Sequence, residues 1–384
     1  MDMQIAKKHF HFPLNGQKIA SFLKKNIVLC VAVTAALITS FIVPPDKEYL
    51  SYFDFKTLTC LFCVLAVVCA FKNIRFFTVL AEKIVALFKN TRASILALVH
   101  ITFIGSMLIA NDMALLTFLP LGYFVLTSTD KRKYMAFTFI MQNIAANLGG
   151  MLTPFGNPQN LYLYTKFNIP TGEFVLTMLP PFLISIAIIT LSCLIFVKKE
   201  PLEINKEHTP LPKARTIIYA LLFTLSIVIV FRVIPYQIGL VIVPIVLFFM
   251  DKKALKDVDY ALLLTFVAFF IFSGNMARIP LVQRIFERLL HKNTLLVSVL
   301  SCQVISNVPS AILLSQFTGN YTELLLGVNI GGVGTLISSL ASLITFREYT
   351  SHNPEKTKSY ILLFSAFNFG FLFLLTGIQL LILL

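Results

Sequence analysis

The stretch NIAANLGGMLTPFGNPQNLYL, Asn143 to Leu163, interrupts an otherwise apolar run and decides how the rest of the chain is understood. Gly149, Gly150, Pro154, Gly156, Asn157, Pro158, Gln159 and Asn160 follow one another closely, which a continuous membrane helix does not need. Each Pro removes a backbone donor and crowds the preceding turn, so the spacing predicts a helix that opens between Thr153 and Asn160. Opened backbone at bilayer depth survives only when buried in protein or lining a watery cavity. The segment is therefore a candidate binding site on physical grounds alone.

The surrounding composition supplies the bilayer. Hydrophobic residues make up 57% and charged residues 13% of 384, with a mean hydropathy of +0.83. A soluble domain is about a quarter charged, so this composition predicts a polytopic membrane protein. The net charge of +14 would suggest a nucleic-acid partner if Lys and Arg formed one patch. They fall instead in short clusters between apolar runs, the pattern of cytoplasmic loops, and no nucleic acid is expected. Cys30, Cys60, Cys63, Cys69, Cys193 and Cys302 all sit in apolar runs, where they read as small hydrophobes. The first 25 residues are polar and basic, so no cleavable signal peptide is expected. No H-E-x-x-H, P-loop or dinucleotide fingerprint is present and no nucleophile has a base in register, so an enzyme or ATP-driven pump is not expected and no catalytic residue is assigned.

Taken in order, the pattern predicts an all-α membrane protein with about nine transmembrane crossings and two hairpins. Lys7, Lys8, Lys18, Lys24 and Lys25 precede the first apolar run, which makes segment 1–26 cytoplasmic. A first unit spans 27–197, with a hairpin at 93–127 and a broken helix at 134–165. A net-basic cytoplasmic linker spans 198–215. A linker helix and a second unit fill 216–384, with a hairpin at 294–317 and a broken helix at 324–346. Asn73–Asn90 and Asn275–Lys292 interleave basic and apolar residues as amphipathic interfacial arms. Asn147-Leu-Gly149-Gly150-Met-Leu-Thr153 aligns with Asn329-Ile-Gly331-Gly332-Val-Gly-Thr335, and Asn111 pairs with Asn307 at the hairpin tips. The extra crossing between the units turns the second upside down, giving inverted repeats whose discontinuous helices meet at the midplane, as in secondary transporters.

Of the acidic residues, Asp112 is the one set in the middle of a long apolar stretch. A carboxylate at the centre of a membrane helix costs about 3 kcal/mol on insertion scales, so it normally has a partner or a task, here holding Na⁺ or a proton. The competing reading is an external two-residue turn, for which Asn-Asp is ordinary chemistry. Asn111 and Asn307 are expected to open and cap the return helices, whose free N–H groups attract anions. No Lys or Arg falls beside any of the four polar breaks. Anion binding is therefore expected to rest on those helix starts, on amides of Asn157, Gln159 and Asn160, on Gly156 and Gly334 backbone, on hydroxyls of Thr153, Ser306, Ser310, Thr335, Ser338, Ser339 and Ser342, and on a co-bound cation. Na⁺ is expected near Asn111, Asp112 and Asn307. The small polar residues serve equally well to let helices pack closely. His100 is read as hydrogen-bonded packing.

At these residues the chain resembles the ion transporter superfamily, the clan of arsenite permeases, NhaD-type sodium/proton antiporters, citrate transporters and divalent anion/sodium symporters. GGMLTPFGNPQN (Gly149 to Asn160) and GGVGTLISSLASLI (Gly331 to Ile344) resemble the clan's two broken-helix motifs. With SCQVISNVPSAILL (Ser301 to Leu314) they look most similar to the short bacterial inner-membrane permeases of the YbiR type. In the divalent anion symporters each tip carries Ser-Asn-Thr. Here the tips are Ala110-Asn111-Asp112, closer to the Asn-Asp of arsenite permeases, and Ser306-Asn307-Val308. The resemblance implies a secondary transporter of a small anion, a di- or tricarboxylate or an inorganic oxyanion, coupled to Na⁺ or H⁺, with no other cofactor. It also implies a homodimer and an inner-membrane location. The competing functions are a Na⁺/H⁺ antiporter or arsenite-type efflux permease built on Asp112, and more remotely a membrane-embedded enzyme or receptor.

Overall fold

The computed structural model describes residues 26–202 and 210–383, so the N-terminal segment 1–26 lies outside the described residues apart from its last position. The described chain is a bundle of helices. The first unit comprises α1 (Ile27–Ile42), α2 (Phe55–Asn73), α3 (Phe76–Val85), α4 (Thr91–Ile109), α5 (Asn111–Ser128), α6 (Met135–Gly149), α7 (Pro158–Lys166) and α8 (Thr171–Phe196). The second comprises α9 (Lys213–Val230), α10 (Tyr236–Met250), α11 (Lys252–Lys256), α12 (Tyr260–Ala277), α13 (Pro280–Lys292), α14 (Thr294–Ile305), α15 (Asn307–Leu314), α16 (Tyr321–Ile330), α17 (Leu340–His352) and α18 (Thr357–Leu383). Six of the described helical segments are long and apolar enough to cross a membrane, and α1, α10 and α14 are shorter apolar helices. The chain is an all-α, multi-pass membrane protein.

Local chemistry sets many of the helix starts. Asp54, Asn90, Asp259, Asn293, Asn320 and Ser339 each accept a backbone N–H of the first turn that follows, which satisfies a donor the helix cannot. The two hairpins reverse without glycine. Ala110 (φ 63, ψ 149) ends α4, and Ser306 (φ 78, ψ 159) ends α14. That region of backbone space is almost reserved for Gly, so each tip stores about 1–3 kcal/mol of strain that the packing around it must hold.

Several boundaries differ from the sequence expectation. Arg75 turns left-handed after α2, and the first arm shrinks to the ten residues of α3. The second arm is α13, which restarts at Pro280. Asn275 belongs to α12, where its amide donates to Thr39 Oγ1 and Ser40 Oγ, each at 3.3 Å. The second broken span is longer than 324–346, because Asn320 caps its start and aromatic stacking holds its end. His352 lies on Tyr123 at 3.9 Å and Tyr349 on Tyr360 at 4.2 Å. The arms lie at opposite ends of α2. Arg278, leading into α13, pairs with Asp46 at 2.7 Å beside the start of α2, whereas Asn73 at its other end bonds Asp251 at 3.1 Å.

At the Asn73 end, the terminus of α8 clamps the turns around it. The Glu200 carboxylate accepts from Lys133 at 2.6 Å, Lys131 at 2.9 Å and Tyr134 at 3.1 Å, while its carbonyl takes the Thr91 N–H at 2.8 Å. The hydrogen bonds from Lys133 and Lys131 hold this carboxyl down at about 2, against an ordinary 4.5. A folded value below the unfolded one stabilises the protein above pH 4.5 and is lost as pH falls toward 2. Glu200→Gln is therefore expected to melt earlier than the wild type at pH 7, with the gap closing at acid pH. Equal melting of the two proteins at pH 7 and pH 4 would show that the clamp contributes nothing.

At the opposite end, the turn between α9 and α10 grips the C-terminus of α7. Arg232 donates to the Tyr164 carbonyl and, at 3.2 Å, to that of Ile169, with its guanidinium 4.0 Å from the Tyr164 ring centre. Helix ends leave carbonyls without partners, and a fork of N–H donors answers two at once. Arg232→Met should lower stability by about 2 kcal/mol, the worth of charged hydrogen bonds, with Arg232→Lys recovering only part. Thermal melting in detergent measures both.

Candidate substrate and ion chamber

The opened backbone expected between Thr153 and Asn160 is present. Helix α6 tightens into a turn at Gly150–Leu152, the chain leaves helical conformation at Thr153, and α7 restarts at Pro158 after Asn157. The second half repeats this between α16 and α17, where Gly334 takes φ +125 and a Cβ would sit 2.1 Å from Gln303 Oε1. Asn160 holds the first break by donating to the carbonyls of Gly150, Met151 and Thr153 at 3.2 to 3.3 Å. Gln303 holds the second by donating to those of Gly331 at 2.9 Å and Val333 at 3.2 Å and accepting the Thr335 N–H at 2.9 Å.

Each break is fastened to its own hairpin by the same two bonds. The Asn111 N–H donates to the Gly156 carbonyl at 3.2 Å, and the Asn307 N–H to that of Ser338 at 2.9 Å. The Thr153 hydroxyl donates to the Met107 carbonyl at 2.7 Å, and the Thr335 hydroxyl to that of Gln303 at 3.1 Å. Under the sequence alignment of the halves these positions correspond one to one. The breaks also meet each other. Asn157 donates to Asn329 Oδ1 at 3.2 Å, and Asn329 donates to Asn160 Oδ1 at 2.6 Å. Beneath them Asn111 donates to Asn147, and Asn143 to Ser342 and Asn368, each at 3.3 Å. In the bilayer interior such amides need partners, and this ladder supplies them.

Between the tips lies a cavity of about 310 Å³, at the small end for ligand sites. Its wall takes Asn111 and Asp112 from the first tip, Ser306 to Pro309 from the second, and Pro158 and Gln159 from the restart of α7. Ile337 and Leu340 come from the second break, with Leu343 and Arg347 beyond them on α17. Asn26 and Asp259, at the starts of α1 and α12, also line it and place its mouth at the Asn73 end of the bundle. Asn111 and Gln159 are buried to 3% and 1% exposure. Asn111 Oδ1, Asp112 Oδ1 and Gln159 Oε1 are buried acceptors without a partner, and Asn157 Oδ1, outside the wall, is another.

Of the expected site residues, Asn111, Asp112, Gln159, Ser306 and Asn307 therefore line the cavity. Thr153, Gly156, Asn160, Gly334, Thr335 and Ser338 instead hold the breaks in shape. Asn157 bridges to Asn329, and Ser310 shares a 2.8 Å hydrogen bond with Ser301. Ser339 caps α17, accepting the Ser342 N–H at 3.2 Å. Asn111 and Asn307 do not cap from the N-cap position. Ala110 and Ser306 occupy those positions with no side-chain cap, because the reversal falls one residue earlier. The expectation that no Lys or Arg approaches the breaks is also corrected, since Arg347 faces the cavity. His100 bonds the Leu96 carbonyl at 2.8 Å and Thr190 at 3.0 Å, as packing requires. Asn143, Asn329, Gln303 and Asn368 were not among the expected site residues, although Asn143 opens the broken stretch and Asn329 the aligned motif of the second half. The signal for Gln303 and Asn368 is a lone amide in an apolar run.

A polar chamber at the meeting point of two interrupted helices and two hairpin tips, inside a multi-pass bundle, is the make of a membrane transporter. The chain belongs to the citrate transporter family (CitMHS), whose model matches residues 19–322. It is similar to the uncharacterized transporter MJ0456 of Methanocaldococcus jannaschii, 33% identical over 331 residues, 86% of this chain and 90% of that protein. It is also similar to the inner membrane protein YbiR of Escherichia coli K12, 29% identical over 318 residues, 80% of this chain and 84% of that one.

Proposed function

We propose that this chain is a secondary active transporter of a small anion, driven by Na⁺ or H⁺ bound at Asn111, Asp112 and Gln159. One observation carries the reading. Three buried acceptor oxygens without a donor, one of them a carboxylate's, belong to residues that line a cavity shared by both hairpin tips. Buried acceptors left unpaired are costly, and a cation or a proton satisfies acceptors where an anion does not. The family description makes citrate the first anion to try.

The corresponding bonds in the two halves support inverted repeats, the first at 27–197 and the second within 216–384 after a linker helix, as does the placement of arms α3 and α13 at opposite ends of α2. Lys131, Lys133, Lys198, Lys199, Lys252, Lys253 and Arg347 gather at the Asn73 end, which by the positive-inside rule supports a cytoplasmic position for that end and the cavity mouth, in keeping with the expected cytoplasmic N-terminus. The similarity to YbiR favours an inner membrane, and the family resemblance a homodimer.

The purified protein in proteoliposomes is expected to accumulate one member of a panel of citrate, succinate, sulfate and arsenite under an imposed Na⁺ or H⁺ gradient. A second reading has its own support, because among the described residues Asp112 and Asp259 together line the cavity against a single Arg. An antiporter on Asp112 would collapse a pH gradient on addition of Na⁺ with no anion present. That result, with no member of the panel carried, would overturn the anion reading.

A further inference from the structure

The acceptors suit a coupling cation, which leaves open what meets the anion's charge. Leu340, Leu343 and Arg347 line the cavity from α17. They stand at i, i+3 and i+7, a single face, with Arg347 about 10 Å along the axis from Leu340. Helical side chains lean toward the N-terminus of their own helix, here toward Ser339 and the second tip, which inclines the exposed Arg347 side chain along the wall.

The carboxylates beside it have other neighbours. Glu348 lies 3.5 Å from His352 Nε2, and Asp259 accepts the Leu262 N–H at 2.9 Å as a helix cap. Among the described residues no hydrogen bond or ion pair holds the Arg347 guanidinium. Among the described residues it is the one cation in a wall whose other charges are Asp112 and Asp259. An anion entering there meets two carboxylates and needs a strong donor. Arg offers five N–H groups in a planar fork that matches two oxygens of an oxyanion.

We infer that Arg347 is the substrate-recognising cation of the chamber, the group that receives the charged oxygens of the transported anion just inside the mouth. The assignment rests on the anion reading above. Arg347→Gln and Arg347→Lys, reconstituted beside the wild type at a saturating driving gradient, test it through initial uptake rates over a range of anion concentration. Loss of one charge-assisted contact should raise KM about tenfold or more in Arg347→Gln with kcat little changed. Arg347→Lys should fall between, keeping the charge without the fork. The wild-type KM should rise with added KCl and that of Arg347→Gln much less, because screening acts on a charge the variant lacks.

An unchanged KM in Arg347→Gln overturns the assignment while leaving anion transport intact, and so does a fall in kcat alone. If Arg347→Gln is not recovered as a folded protein, the KM of Arg347→Lys decides in the same way. A wild type that carries Na⁺ or H⁺ but no anion overturns the anion reading, and this assignment falls with it.

Discussion

Asp112→Asn is expected to abolish gradient-driven uptake, lowering concentrative transport by about a hundredfold, while the protein still folds. The side chains are near-isosteric, so the cavity keeps its shape and only the charge and its titration are lost. Asp112 sits in the first turn of α5, where the helix N-terminus favours a negative charge. Its Oδ1 is buried with no donor. A cation or proton taken up there during each cycle would supply the missing partner, and removing the charge forfeits about 3 kcal/mol of that interaction. Because the loss falls on coupling, passive exchange of labelled anion down its own gradient should survive better than accumulation. Sodium- or proton-dependent accumulation at the wild-type level in Asp112→Asn would remove Asp112 from the mechanism.

The second large effect is expected at Gly156. A Cβ there would lie 2.3 Å from the Gly150 carbonyl oxygen and 2.7 Å from Thr153 Oγ1. The first is backbone and cannot rotate aside. The Gly150 carbonyl is also one that Asn160 holds, at 3.2 Å, and the Gly156 carbonyl receives the Asn111 N–H at 3.2 Å. Any shift that admits a methyl group therefore loosens both the break and the tip that carries Asp112. Gly156→Ala should cost about 1–3 kcal/mol, the range of overpacking, and should lose transport as well. Gly172→Ala is the control, since nothing lies within 4 Å of its Cβ. Equal melting temperatures for the two variants would show that the break tolerates more movement than the distances allow.

The broken helices were legible because their signal is local. Pro158, the paired glycines and the Asn-rich run each forbid or weaken a continuous helix, and a shift of register does not hide them. The expected hairpins at 93–127 and 294–317 fall on α4–α5 and α14–α15, since apolar length alone marks such arms. Their reversals were less legible, because Ala110 and Ser306 adopt a glycine conformation without being glycine. Only tertiary packing selects it. Arg347 was missed for a related reason. It lies seven residues beyond Leu340, far along the sequence from any break, and only the helical period returns it to the same face. Most of the hydroxyls around the second break were legible as a cluster but not as individuals. Sequence does not say whether a Ser faces a cavity, as Ser306 does, or closes a turn, as Ser338 does.

The paired fastenings between tip and break have a mechanical consequence. If either tip swung up alone like a hinged lid, it would leave Gly156 or Ser338 without the amide it now accepts and Thr153 or Thr335 without its carbonyl. Lifting the lid is thus the costly way to let cargo out. Sliding hairpin and break together as one solid block past the remaining helices keeps those bonds intact in either half.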